Sequence, residues 1–171
     1  RVRRLSFTGS TATARIIGRA AADGIVPFTA ELGGKNPLLV FADADLDLAA
    51  QKAALQYDDA GQVCLSGTRL LVEESVVDDF LARFHANVDA QVLGDPRDDA
   101  TTISPLIHPE HLARVAGFVD RARANGDEVL RGGRQPDLGG LWYEQTLIRP
   151  RSNGSEIRSE EHTSELQSRG L

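Results

Sequence analysis

Methionine is absent from the 171 residues, cysteine and tryptophan occur once each, and aromatic residues make up only 5% of the chain. A single cysteine, Cys64, cannot form an internal disulfide; a lone cysteine in an intracellular enzyme is either an inert core filler or a candidate nucleophile. With no methionine and Arg1 at its start, the sequence reads as a piece of a longer protein. Lysine is nearly as scarce, since Lys35 and Lys52 are the only lysines among 19 basic residues, and 25 acidic residues outweigh them to a net charge of −6. No basic stripe is present to attract nucleic acid or anionic lipid, and both are excluded as expected partners. No apolar run approaches the ~18 residues that span a bilayer, and no basic and apolar leader opens the chain. The expectation is a cytoplasmic protein with no membrane association.

What is present alternates strand-like and helix-like segments. Leu5-Ser6-Phe7-Thr8 is β-prone and stops at Gly9-Ser10, after which Thr11 to Ala22 supplies helix formers. Pro27 to Leu32 is a second extended piece closed by Gly33-Gly34. Asn36-Pro37-Leu38-Leu39-Val40-Phe41 is a near-continuous apolar run of the kind found in strands covered on both faces. Asp43, Asp45 and Asp47 stand where an N-cap and a first helical turn favour acid, ahead of an Ala-rich helix over Leu48 to Leu55. Thr68 to Val72 reads as a strand, followed by a helix carrying Val76, Phe80, Phe84, Val88 and Val92 at i, i+4 spacing. Pro109 opens another helix that stops at Asn125-Gly126, and Val129-Leu130 and Thr146-Leu147-Ile148 are further short strands. Helices of about a dozen residues between strands predict an α/β fold with a largely parallel sheet. The closing stretch, Arg158 to Leu171, contains no Ala, Val or Asp and no apolar period. It reads as a non-native tail, similar to an in-frame translation of a sequencing adapter, and is left out of the expected core.

Two residue types invite a chemical reading. The thiolate is the reactive form of cysteine, and a carboxylate within reach, directly or through water, can take a proton; Glu31 and Cys64 are such a pair if the fold joins them. Taken alone, Cys64 would more often be a small buried hydrophobe. Gly9-Ser10 is a strand-to-helix turn, where bare backbone and a helix N-terminus favour an anion, although ordinary turns look the same. His108-Pro109-Glu110-His111 has two histidines three apart, yet no cysteine or third histidine accompanies them, so a helix start is expected and no metal site. Gly132-Gly133, Gly139-Gly140 and Trp142-Tyr143 read as turns with an aromatic plug.

Three segments in series carry a resemblance: Phe7-Thr8-Gly9-Ser10-Thr11, Glu31-Leu32-Gly33-Gly34-Lys35-Asn36-Pro37, and Gly61-Gln62-Val63-Cys64-Leu65-Ser66-Gly67-Thr68-Arg69. Together they resemble the NAD(P)-dependent aldehyde dehydrogenase superfamily over Arg1 to about Ile157. That resemblance implies an α/β chain holding the last strand-turn-helix of a dinucleotide-binding domain (1–33), part of a parallel-sheet catalytic domain (34–157) and the tail (158–171). It implies NAD or NADP as cofactor, a small-molecule aldehyde as substrate, and a homo-oligomer for the full-length protein. Cys64 would attack the aldehyde, hydride would pass to the nicotinamide, and Glu31 would activate the water that hydrolyses the thioester. Gly9 and Ser10 match the turn facing the pyrophosphate, and Leu32 and Gly33 the stretch beside the nicotinamide. The family's usual second glycine of that turn is here Ala14, and Asp58-Asp59 stands where many relatives carry Asn and Gly. Two other readings remain: a non-catalytic binding or structural relative, disfavoured by intact Glu31 and Cys64, and a CoA-acylating branch, disfavoured by a glutamate at 31. Leu71-Val72-Glu73-Glu74-Ser75 and Asp95-Pro96-Arg97 are similar to bacterial enzymes of semialdehyde oxidation.

Overall fold

A computed structural model describes residues 2–159 and the backbone of residues 169–170. Two sheets organise it. In the first, β1 (Leu5–Gly9) and β2 (Phe28–Leu32) pair in parallel, with Thr8 beside Glu31 and Gly9 beside Leu32. The crossover between them is α1 (Thr11–Asp23), since parallel neighbours need a connection long enough to return the chain to the same end. Its burial stripe is narrow, Ala14 and Ala21, so small side chains let the helix lie close to the strands.

The second sheet has five strands in the order β3 (Pro37–Val40), β4 (Arg69–Val72), β7 (Arg169–Gly170), β6 (Leu147–Arg149) and β5 (Glu128–Arg131). All neighbours are parallel except β5 and β6, which form an antiparallel hairpin. The backbone of Arg169–Gly170 therefore departs from the expectation that 158–171 stands apart from the core: it bridges β4 and β6, whose edges would otherwise face each other unpaired. Residues 160–168 and 171 of that tail lie outside the described residues.

Between β3 and β4 the chain forms α2 (Leu46–Ala54) and a 3-10 stretch (Leu55–Gly61). Asp45 is the N-cap of α2, its carboxylate accepting from the Leu48 amide at 3.1 Å, and Asp47 adds acid in the first turn. Ala50, Ala53 and Ala54 form its buried stripe. That stripe packs on α3 (Val77–Asp89), which buries Phe80, Leu81, Phe84 and Val88 at helical spacing. Phe84 is wholly buried between Phe80 and Tyr57, with ring centroids 6.1 and 6.2 Å away, and burying one such ring contributes about 1.5–3 kcal/mol. Val92 does not continue this stripe. The helix ends at Asp89, and the Val92 backbone pairs instead with Thr102 and Ile103, where both amides donate to its carbonyl at 2.9 Å. α4 (Pro109–Asn125) closes the core with Val115, Phe118, Val119 and Ala122, and stops at Gly126, whose φ of 84° is left-handed.

One face of β3 is not covered as its apolar run suggests. Leu38 and Val40 face the core, while Leu39 is 56% and Phe41 59% exposed, and no described element lies over them. Alternation along the strand puts these two on the opposite face.

Candidate functional site

The carboxyl ends of β1 and β2, the loop after β2 and the loop before β4 surround a cleft of about 410 Å³. Strand ends of parallel sheets are where α/β folds gather mobile loops around a ligand. Gly9, Glu31, Leu32, Gly33 and Cys64 all line it, so one concavity holds five of the six residues singled out from sequence. Ser10, the sixth, stands just behind. Its Oγ accepts from the Thr13 amide at 3.2 Å and donates to Thr13 Oγ1 at 3.0 Å, which makes it the N-cap of α1. The first turn of α1 contains no acid, so its amide end stays attractive to an anion. At Gly9 a Cβ would stand 2.7 Å from the Phe7 ring, so only glycine gives the turn its bare backbone. Ala14, where a second glycine was noted as usual, is a buried residue of α1 whose amide donates to the Ser10 carbonyl at 2.9 Å.

The loop that delivers Cys64 is wound tightly. Asp59 (φ 50°), Ala60 (φ 56°) and Gly61 (φ 75°) are left-handed in succession, a conformation that costs non-glycine residues energy and clusters at functional loops. Aspartate tolerates such a position better than most residues, which gives Asp59 a local rationale. Gln62 fixes the turn: its Nε2 donates to the Asp59 carbonyl at 2.9 Å, and its Oε1 accepts from the Ile107 amide at 3.0 Å. Beyond it Ser66 N bonds the Val63 carbonyl at 3.1 Å, leaving the Cys64 thiol exposed at the crest of a turn. Asn36, just before β3, donates from Nδ2 to the Cys64 carbonyl at 2.8 Å and reaches the Ser66 carbonyl at 3.4 Å.

Three further lining residues were not singled out from sequence as part of a site. Ile107, just before α4, and His111, in its first turn, are more than forty positions from Cys64, and only the packing of α4 brings them in. His111 belongs to the wall rather than to a helix start alone, and it is His108 that caps α4, its Nδ1 accepting from the Glu110 amide at 3.2 Å. Thr68 also lines the cleft, with a buried Oγ1 that has no hydrogen-bond partner among the described residues. A burial-aware reading of Ser66-Gly67-Thr68 could have flagged it; Ile107 and His111 carried no local signal. No group of three or more potential metal ligands occurs among the described residues. A larger cavity, about 740 Å³, lies over the uncovered face of β3 and β4, but its walls are mostly apolar and hold no thiol.

The cleft therefore joins a strand–glycine–helix turn, a carboxylate and an exposed cysteine at the strand ends of an α/β fold. The chain belongs to the aldehyde dehydrogenase family, whose family model matches residues 1–163. It is 38% identical over 162 residues to a betaine aldehyde dehydrogenase of Cereibacter sphaeroides, covering 94% of this chain and 34% of that protein. It is also 38% identical over 166 residues to a 2-hydroxymuconic semialdehyde dehydrogenase of Pseudomonas sp., with the same coverage. A crystal structure of an NAD-dependent aldehyde dehydrogenase from Sinorhizobium meliloti superposes with a TM-score of 0.92 at 36% identity, over 99% of this chain and 34% of that one. The chain thus spans about a third of the length of these relatives.

Proposed function

We propose that the full-length protein oxidises an aldehyde to a carboxylic acid with NAD or NADP, and that Cys64 and Glu31 carry the two halves of the reaction. The observation behind this reading is that Glu31, on β2, and Cys64, on the loop before β4, line the same cleft of about 410 Å³ although they lie 33 positions apart in sequence.

The division of labour follows from the chemistry of the two groups. The Cys64 thiolate adds to the aldehyde carbon to give a thiohemiacetal, with the Cys64 backbone N–H as one donor to the developing oxyanion. When bound, the nicotinamide supplies the hydride acceptor. Glu31 then takes a proton from water as that water attacks the thioester on Cys64, releasing the acid and the thiol. The turn at Gly9 fits a dinucleotide phosphate, because it presents backbone that a Cβ would block and lies at an acid-free helix start. Ser10 would contribute through its amide, since its hydroxyl is engaged with Thr13, and Leu32 and Gly33 would hold the nicotinamide end. In this reading residues 1–33 close a dinucleotide-binding domain and 34–157 form part of a catalytic domain, to whose sheet the backbone of Arg169–Gly170 adds a strand. The substrate is proposed at the level of the aldehyde class, since two equally similar relatives are named for different aldehydes.

The test is made in the full-length enzyme. Cys64→Ala is expected to abolish NADH formation and labelling of this segment by iodoacetamide, as the segment has no other cysteine. Glu31→Gln is expected to leave a pre-steady-state burst of NADH and to lower the steady rate ~10²–10⁴-fold. An unchanged steady rate with normal acid product would remove Glu31 from the mechanism and end the proposal.

A further inference from the structure

We propose that Asn36 is the positioning residue that fixes the Cys64 loop relative to Glu31, an inference that rests on the function proposed above. Asn36 lies five positions after Glu31, at the entry to β3, and its own backbone is anchored because the Arg69 amide donates to its carbonyl at 3.1 Å. From that anchor its side-chain amide reaches the cysteine loop, donating to the Cys64 carbonyl at 2.8 Å and to the Ser66 carbonyl at 3.4 Å. Both carbonyls belong to the turn that carries the thiol. Holding the Cys64 carbonyl sets the plane of the Cys64–Leu65 peptide and, with it, the direction in which the thiol leaves the backbone.

The geometry gives Asn36 a task that Gln62 and Gln56 do not perform. Gln62 ties the same loop to Asp59 and Ile107, away from β2 and Glu31, and Gln56 holds the Gly67 amide at 2.7 Å from the α2 side. The Asn36 bond joins the segment bearing Glu31 to the carbonyl of Cys64 itself. An aspartate at this position would have nearly the same shape but no N–H to donate, and its charge would face two carbonyl oxygens. Orientation of a nucleophile by such a contact is a kinetic matter, since misplacement of ~1 Å can cost ~10²-fold in rate.

Asn36→Asp and Asn36→Ala in the full-length enzyme test this with three readouts. Hydrogen exchange without cofactor or aldehyde should quicken at the amides of residues 64–67 and stay unchanged in α3 and α4. Alkylation of Cys64 by iodoacetamide, which needs a thiolate but no fixed orientation, should proceed at close to the wild-type rate. The NADH burst should slow ~10–10²-fold, with the aldehyde KM little changed. Unaltered exchange at 64–67, or a burst at the wild-type rate, would overturn the inference; so would exchange that quickens equally throughout the chain, which marks a merely structural role. If instead Cys64→Ala still forms NADH, the proposed function fails, and the exchange result still reports whether Asn36 holds the loop.

Discussion

The hydroxyl of Tyr57 offers a direct measure of how firmly the helix before the cysteine loop is tied to the sheet. Tyr57 is 2% exposed and donates to the carbonyl of Thr146, itself buried, at 2.8 Å across 89 positions of sequence. Tyr57→Phe keeps the ring against Phe84, opens no sizeable cavity and removes one donor. A buried acceptor left without its partner costs about 1–3 kcal/mol, offset in part because the phenol no longer has to be desolvated, so a loss of about 1–2 kcal/mol is expected. For a chain of this size that is a fall in Tm of about 2–8 °C. Urea unfolding followed by circular dichroism should show a lowered midpoint with an unchanged slope, as the surface exposed on unfolding is the same. A loss below about 0.3 kcal/mol would mean that the Thr146 carbonyl finds another partner or that the bond contributes nothing net, and the argument would fail.

Two further perturbations follow from the same reasoning. Gly132→Ala should destabilise the β5–β6 hairpin by about 2–5 kcal/mol, because φ is 64° there and a Cβ would stand 2.5 Å from the Gln145 carbonyl oxygen; Gly139→Ala, at the same φ with nothing within 4 Å, should cost only about 1–2 kcal/mol in parallel urea titrations. His85 is held below its ordinary pKa of 6.5, first by burial and then by Arg131, with Asp89 opposing. The unfolded chain therefore takes up this proton first as pH falls, so the contribution of the neutral ring is complete above 6.5 and is lost as pH drops through the lowered folded value. His85→Gln should flatten the fall in urea midpoint between about pH 7.5 and 5.5, a window above the titration of Glu73, Asp79 and Asp95, whose carboxyls are held low by hydrogen bonds to the Ala42 amide, Arg83 and Arg97. An identical pH profile for the variant would exclude His85 as the source.

Local rules sufficed for most of the elements. Acid at Asp45 and Asp47, Pro109 and the Asn125-Gly126 stop act within one or two turns of backbone, so α2 and α4 could be placed from sequence. The α3 stripe was legible through Val88 and failed at Val92, where pairing with residues 102–103 replaced the helix. The glycine turn, Glu31 and Cys64 stood out only through the three segments in series that resemble the aldehyde dehydrogenase superfamily; alone, Gly9-Ser10 looks like an ordinary turn and Cys64 like a small buried residue. Tertiary structure decided what local rules could not reach: the open face of Leu39 and Phe41, the antiparallel turn of β5 against β6, and the entry of Arg169–Gly170 between β4 and β6. It also decided that Ile107 and His111 complete the cleft and that Asn36 reaches Cys64. Each of these is a contact between residues far apart in sequence, and such contacts are set by how helices and sheets pack, a property that no short window of residues contains.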